Sequence, residues 1–333
     1  VSVGPLFGGL LAFQFAEWLG EFLISDFRLA IVEAGAHDGR LAKDILAWLQ
    51  RRRLALFDRI EYWIIEPSAH RQAWQWETLN EFAPCVRWVT DFRAFGGDSF
   101  AAPGNSQSTT CRDSARARRV GNRQSLRGVI FSNELLDAMP VHRLGWDAQR
   151  REWFEWGVAL DRGKFVWVRL SGRTALLNLP CELLDVLPDG FTTEICLAAE
   201  EWWREAAGVL KQGKLLTLDY GLNAEEFFAP QRANGTLRAY HRHHLAADVL
   251  ANPGEQDLTA HVNFTAIQRA GEEAGLKTDM FAPQTQLLTR IAQRAWQAGS
   301  DFGPWTSAHT RQFQTLTHPD HLGRSFRVLV QSK

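Results

Sequence analysis

The chain has 333 residues, 45% of them hydrophobic, enough for one large or two ordinary domains around a sizeable buried core. Lysine plus arginine (37) nearly balance aspartate plus glutamate (38), so no overall field favours nucleic acid or an anionic membrane, and partners must be selected by local features. The four cysteines, Cys85, Cys111, Cys181 and Cys196, lie far apart without a C-x-x-C pair, which argues against a zinc knuckle or a disulfide framework and for a reducing compartment.

The opening "VSVGPLFGGLLAFQFAEWLGEFL" is apolar, but Gln14, Glu17 and Glu21 interrupt it and no basic signal-peptide flank precedes it. It falls short of the ~18 to 20 uninterrupted apolar residues of a membrane span, and an amphipathic helix is expected. With no initial Met, the natural chain is expected to begin earlier. "RLAIVEAG" is a short apolar run closed by turn residues, hence a first strand. "RLAKDILAWLQRRRL" repeats Leu41, Ile45, Trp48 and Leu49 on one helical face. "RIEYWIIEPS" and "CVRWVTDF" read as second and third strands, and "RGVIFSNELLDAMPV" as a fourth that ends near Ser132 and Asn133. Strands alternating with helices predict a Rossmann-like, doubly wound, mostly parallel α/β sheet, with ligands beyond the carboxyl ends of its strands.

Between the third and fourth strands, residues 96–127 are rich in Ser, Gly and Arg without an apolar period, so a flexible loop is expected there. The five arginines from Arg112 to Arg123 suit either an acidic partner or a solvated insertion. From Val141 the pattern shortens to "VHRLGW", "REWFEWGV" and "KFVWVRL", which predicts antiparallel hairpins inserted as a cap, residues 141–190, between core segments 1–140 and 191–333. Trp146, Trp153, Trp156 and Trp167 either line a groove or fill the core of that cap. "TEICLAAEEWWREAAGVLKQG" reads as one long helix ending at Gly213, and "KLLTLDYG" as a further central strand. An irregular arm, residues 222–262, precedes the helix "NFTAIQRAGEEAG", and "HLGRSFRVLVQSK" closes the chain as a strand at the antiparallel end of the sheet.

Three places carry candidate chemistry. In "VEAGAHDGRL", Gly35 and Gly39 relax a strand-to-helix turn so that backbone N–H groups face a ligand carboxylate or hydroxyl, while Glu33 suits an ammonium. A dinucleotide loop needs a glycine where His37 stands, because backbone must approach a bulky pyrophosphate. S-adenosylmethionine carries no phosphate, and its zwitterionic end matches an acid and helix amides, so His37 counts against NAD more than against that ligand. Glu66 ends the second strand, where a carboxylate either accepts both ribose hydroxyls or caps the next helix. Asp91 ends the third, at an adenine-contact position that equally suits a turn carboxylate. After the fourth strand come Asn133, Glu134 and Asp137; the two acids, three apart, share a face if a helical turn begins there and would then orient a guanidinium, unless they are simply first-turn acids. His241, His243, His244 and His261 show no spacing that fixes a metal geometry, and no metal is expected.

Taken in order, "VEAGAHDGRLAKDIL", "SNELLDAMPV", "LLTLDYG", "GTLRAY", "DLTAHVNF" and "GRSFRVLV" resemble the MidA family of class I S-adenosylmethionine-dependent methyltransferases, also called the DUF185 family, over nearly the whole chain. A mitochondrial member of that family assists complex I assembly by dimethylating an arginine of a complex I subunit. The resemblance implies S-adenosyl-L-methionine as cofactor, held by Glu33, Gly35, Gly39 and Glu66. It implies substrate-side roles for Asn133, Glu134 and Asp137, and for a second set comprising Asp219, Tyr220, Arg238, Tyr240, Asp257, Thr259 and His261, the last either a proton acceptor or a structural hydrogen bonder. The arm would fold over the pocket mouth. A protein substrate, most naturally an arginine of a complex I-type subunit, is expected, with no nucleic acid, no membrane insertion and scope for a homodimer. The compartment would be bacterial cytoplasm or, in a eukaryote, the mitochondrial matrix. Three departures stand out: His37 for the usual middle glycine, Asn263 for the usual acid in "TAHVDF", and a start at "VSVGPLFG", after a segment that normally helps close the site. They leave room for a non-catalytic assembly protein that keeps the fold; a nicotinamide oxidoreductase is the third alternative.

Overall fold

A computed structural model describes residues 4–22, 29–95, 126–172, 174, 179, 181–242, 244–297, 302–319, 321–323 and 325–333. The first half runs α1 (Pro5–Gly20), β1 (Leu29–Ala34), α2 (Arg40–Arg52), α3 (Leu54–Phe57), β2 (Ile60–Ile65), α4 (Ala69–Leu79), β3 (Val86–Val89), β4 (Leu126–Asn133), β5 (His142–Asp147), β6 (Glu152–Asp161) and β7 (Lys164–Arg169). The second runs α5 (Cys181–Leu184), β8 (Thr192–Ile195), α6 (Leu197–Val209), β9 (Leu210–Leu222), α7 (Ala224–Phe227), β10 (Arg238–His241), β11 (His244–Leu245), β12 (Asp257–Thr259), β13 (Val262–Asn263), α8 (Phe264–Glu273), β14 (Lys277–Pro283), α9 (Gln284–Gln297), α10 (Ser307–Thr317) and β15 (Phe326–Ser332).

The main sheet follows the order β14-β15-β9-β4-β1-β2-β3, with β13 paired to the end of β9. From β3 through β9 the pairing is parallel, and β15 pairs antiparallel with both its neighbours. This is the expected doubly wound α/β architecture. Helices α1, α2, α9 and α10 bury apolar side chains against one face of it, and α6 and α8 against the other, which is why its central strands are apolar on both sides. Ala30, Gly128 and Gly213 lie in register across β1, β4 and β9. A Cβ on Gly128 would stand 1.9 Å from the Ala30 carbonyl oxygen, and one on Gly213 would stand 1.8 Å from that of Gly128. Only glycine lets the three strands close up there, at φ 150° and 137°.

The structure differs from the sequence expectations at several points. Helix α1 is not amphipathic but buried on nearly every side from Leu6 to Leu19, because it packs between α2, α9 and α10. Its polar interruptions serve that packing, since Arg294 of α9 donates to Gln14 and lies 2.9 Å from the Glu17 carboxylate. The stretch read as one long helix is a strand, a helix and the start of another strand. Thr192–Ile195 pairs with β5, and the segment up to Gly213 already belongs to β9. Strand pairing here overrides a helix-favouring composition. The closing strand β15 lies at the antiparallel end of the sheet as expected, between β9 and β14. The arm is not irregular throughout: it holds the three-stranded sheet β11-β10-β12. Leu126 and Arg127, assigned to the loop, begin β4, while residues 96–125 with Cys111, and also Arg28 and His243, lie outside the described residues. The hairpins β5, β6 and β7 form as expected and join β8 in a four-stranded antiparallel sheet. Among the described residues no helix is long and apolar enough to cross a membrane.

Candidate active site

The turn between β1 and α2 follows from three residues with positive φ: Gly35 at 76°, His37 at 48° and Gly39 at 82°. Such alternation curls the backbone so that N–H groups converge, the geometry of an anion-binding concavity. Gly35 is required by closeness as well as by φ, since a Cβ there would stand 3.0 Å from Leu135. The turn after β1 therefore touches the turn after β4. His37 adopts the backbone of a glycine at the cost of some strain and leaves its imidazole 79% exposed, 3.8 Å from Asp38. Its carbonyl accepts from Gln75 Nε2 at 3.0 Å, and the same nitrogen reaches Glu66 Oε2 at 3.3 Å. Gln75 is in turn held by Trp88 Nε1 at 2.9 Å. One buried amide thus ties the glycine turn to the end of β2.

Glu33 is 2% exposed and accepts a 2.6 Å hydrogen bond from the Tyr62 hydroxyl. Burial pushes its carboxyl up to about 7 although the Tyr62 bond pulls the other way. Burial, then the nearby Glu33 carboxylate, also raises the Tyr62 phenol. A cation arriving beside Glu33 would be strongly favoured, because it compensates a charge that the fold leaves desolvated. Glu66 is equally buried; Oε1 accepts from Ser68 N at 3.0 Å and its carbonyl from Gln72. Asp91 sits beyond β3 in its own turn, accepting from Arg93 N at 2.8 Å and Arg93 Nη2 at 2.6 Å. The arginine holds its carboxyl below the usual range.

The second half of the site is built by Asp219 of β9. Its Oδ2 accepts from three successive amides, Leu135 at 3.2 Å, Leu136 at 2.8 Å and Asp137 at 3.4 Å, and its Oδ1 from Tyr220 N at 2.8 Å. That one carboxylate bends the chain after β4 into a 3-10 turn, Leu136–Ala138, with Glu134 at φ 51°. The expected i, i+3 face of a regular helix does not form. Glu134 and Asp137 nevertheless feel each other: burial first, then the Glu134 charge, pushes Asp137 up to about 6, and its hydrogen bond to Asp219 pulls it down. Burial and the Asp137 charge raise Asp219 as well, so the two titrate as a pair. Tyr220, pushed up to about 12, senses Glu134, Asp137 and Tyr240 after its own burial. Asn133 ends β4 and donates to Glu134 Oε1 at 3.3 Å.

Asp137 lines a cleft of about 410 Å³ between the four-stranded sheet and the β10-β12 sheet, with Trp156 and Trp167 on its wall. Trp146 and Trp153 turn the other way, into a core with Phe191. The four tryptophans therefore divide between groove and core. His261 is placed elsewhere. Its imidazole lines a smaller cavity of about 100 Å³ with Glu194 and Cys196, and its backbone N donates to Thr236. Burial and then Arg232 and Arg238 push it down to about 4, leaving it a weak base. Arg238 and Asp257 stand on paired strands of the arm sheet, and Asn263 caps α8 through Ala266 N. Among the described residues no group of three or more His, Cys, Asp or Glu is placed to hold a metal. Tyr62 and Gln75 were not legible as site residues. Tyr62 meets Glu33 only as its diagonal neighbour across the β1–β2 pairing.

Two buried carboxylates at successive strand ends beside an amide-lined turn fit the ammonium, carboxylate and ribose of S-adenosyl-L-methionine. The chain matches the family model described as "Putative S-adenosyl-L-methionine-dependent methyltransferase" over residues 10–282. It is similar to a Burkholderia thailandensis protein crystallised with S-adenosyl-homocysteine, at 30% identity and TM-score 0.76, over 99% of this chain and 77% of that one. A second Burkholderia thailandensis crystal structure, in native form, matches at 28% identity and TM-score 0.74, over 99% and 80% of the two chains. The mitochondrial "Protein arginine methyltransferase NDUFAF7 homolog" of Drosophila melanogaster is 25% identical over 95% of this chain and 72% of its own length.

Proposed function

Matched over residues 10–282, this chain belongs to that family of S-adenosyl-L-methionine-dependent methyltransferases, and from this premise we propose that it methylates a guanidinium nitrogen of an arginine in a protein acceptor. The observation that carries the reading is the pair Glu134 and Asp137 at the end of β4, with Asp137 only 6% exposed and opening on a cleft. A buried carboxylate that opens on a cleft, as Asp137 does, favours a cationic ligand, and a planar guanidinium is one that carboxylates grip and orient. The relative from Drosophila melanogaster named as a protein arginine methyltransferase supports the same acceptor. The family resemblance makes a complex I-type subunit the first acceptor to assay.

The bound cofactor would supply an electrophilic methyl group on a sulfonium sulfur. Glu33 would hold its ammonium, the amides of the Gly35–Gly39 turn its carboxylate and Glu66 its ribose. Glu134 and Asp137 would fix the guanidinium in line with the methyl carbon, and Asp137 would take up the N–H proton shed as the N–C bond forms. Catalysis on this plan is positioning plus charge management. The test is mass spectrometry of an acceptor extract incubated with the full chain and methyl-labelled cofactor. Labelled methylarginine should appear, and should fall at least about 100-fold with Asp137→Asn, the scale of losing one positioned charged group, while S-adenosyl-homocysteine still binds. Label on another residue type, or undiminished label in the variant, would overturn the proposal. Cofactor binding without any transfer would favour the non-catalytic assembly reading.

A further inference from the structure

The four-stranded antiparallel sheet has one face too many. Leu144, Trp146 and Trp153 bury one face in a local core, so the other should be polar and solvated. Register instead puts Arg143, Trp156, Val158 and Leu160 on that outer face, opposite Trp167 and Phe165. Val158 is 50% exposed, Leu160 67% and Phe165 44%. Large contiguous apolar surface of this kind marks an interaction site. Its inner end is the wall of the cleft that Asp137 lines, and Leu258, itself 47% exposed, stands on the other wall with Leu237. The outer face therefore leads from open apolar surface, past Arg143, to a buried acid.

Charge along the strip identifies the occupant. At its inner end is Asp137, which suits a cation. Midway lies Arg143, its guanidinium carbon 4.6 Å from the Trp167 ring centre, its Nε 3.9 Å from the Glu194 carboxylate and its Nη2 donating to the Asn234 carbonyl. Trp167 thus already presents an indole face to a guanidinium, a favourable pairing in a partly dry cleft. With Arg143 already paired to Glu194, the outer strip is left to apolar side chains, which suit Val158, Leu160 and Phe165. We propose that this face and cleft are the docking surface of the acceptor polypeptide, which lays an apolar segment along β6 and β7 and sends one arginine side chain inward to Asp137. The inference rests on the arginine reading above and adds to it that recognition comes from sequence flanking the arginine.

The full chain, saturated with S-adenosyl-homocysteine, would be titrated calorimetrically with a blocked nonapeptide whose single arginine is flanked by leucines and valines, and with Nα-acetylarginine methylamide. The peptide should bind at least roughly tenfold more tightly than the amide, a gain of hot-spot size. Trp167→Ala and the exposed Leu160→Ser should each erode that gain while S-adenosyl-homocysteine affinity, which reports an intact fold, stays unchanged. A peptide no tighter than the amide, or variants that bind it as the unaltered chain does, would overturn the proposal. Peptide binding without methyl transfer once S-adenosyl-L-methionine replaces S-adenosyl-homocysteine would sustain the docking surface and remove the arginine chemistry. Transfer to the peptide at unaltered KM in both variants would sustain the chemistry and remove the surface.

Discussion

At Glu33 stability and the proposed cofactor contact stand in opposition. Its carboxyl titrates near 7 in the fold against 4.5 unperturbed, so the folded chain binds the proton more tightly than the unfolded one. Its contribution is fully present below about pH 4.5 and is lost as pH rises through 7, on the order of 3 kcal/mol. Glu33→Gln, which keeps an acceptor for the Tyr62 hydroxyl, is therefore expected to raise the stability of the ligand-free chain at pH 8 by about 1 to 3 kcal/mol and to abolish tight cofactor binding. Urea denaturation and calorimetry check the two halves, and a variant that still binds S-adenosyl-homocysteine tightly would show that Glu33 is only structural. His37 makes the complementary case. It holds φ 48° in the turn, and His37→Gly should keep stability within about 1 kcal/mol, relief of strain offsetting a freer unfolded chain. Cofactor affinity should not weaken; a drop of tenfold or more would make the imidazole a cofactor contact.

At the scale of elements, two sheet features carry the site. The glycine pair lets β4 close on β1 and β9 close on β4, and Gly128→Ala, whose Cβ would collide with the Ala30 carbonyl oxygen, should destabilise by about 3 kcal/mol or more, as strain and lost packing combine. A midpoint in urea equal to that of the unaltered chain would contradict the register. Asp219 joins β9 to the turn after β4 by accepting from three backbone amides of that turn. Asp219→Asn replaces one acceptor oxygen by a donor against those amides, so about 1 to 3 kcal/mol of stability should go. The turn should loosen with it: acceptor turnover falls and acceptor KM rises while S-adenosyl-homocysteine affinity holds. An unchanged acceptor KM would mean that Asp219 does not position the turn.

In the whole molecule the acid proposed for the cofactor and the acid proposed for the acceptor hold their protons to different pH, Glu33 being pushed up to about 7 and Asp137 to about 6. Cations bind the ionised acids, so cofactor affinity should fall as pH drops through about 7, where Glu33 takes its proton, and acceptor affinity as it drops through about 6, where Asp137 does. With limiting cofactor the rate should show an acid limb near 7, and with saturating cofactor one near 6. A single limb at the same pH in both regimes would mean that one of the two acids is not used. The two turns also touch, a Cβ on Gly35 of one falling 3.0 Å from Leu135 of the other.

Much of this was legible in the chain itself, for identifiable reasons. Apolar runs such as "LAIVEA" and "IEYWII" must be buried on both faces, and their alternation with amphipathic segments leaves little but a doubly wound sheet. Glycine and acid at strand ends mark turns and charges that solvent alone would not require, so Glu33, Gly35, Gly39, Glu66 and the Asn133–Asp137 stretch stand out locally. What tertiary structure decided are relations between distant residues. Tyr62 finds Glu33, Gln75 joins His37 to Glu66, and Asp219 shapes a turn more than eighty residues upstream only once strands pair. The same holds for Gly213, a helix end by local pattern and a strand contact in fact. His261, a candidate proton acceptor by sequence, is set apart from Asp137 by the cavity that it lines. Local composition determines which groups are costly to bury; pairing register and packing determine which of them meet.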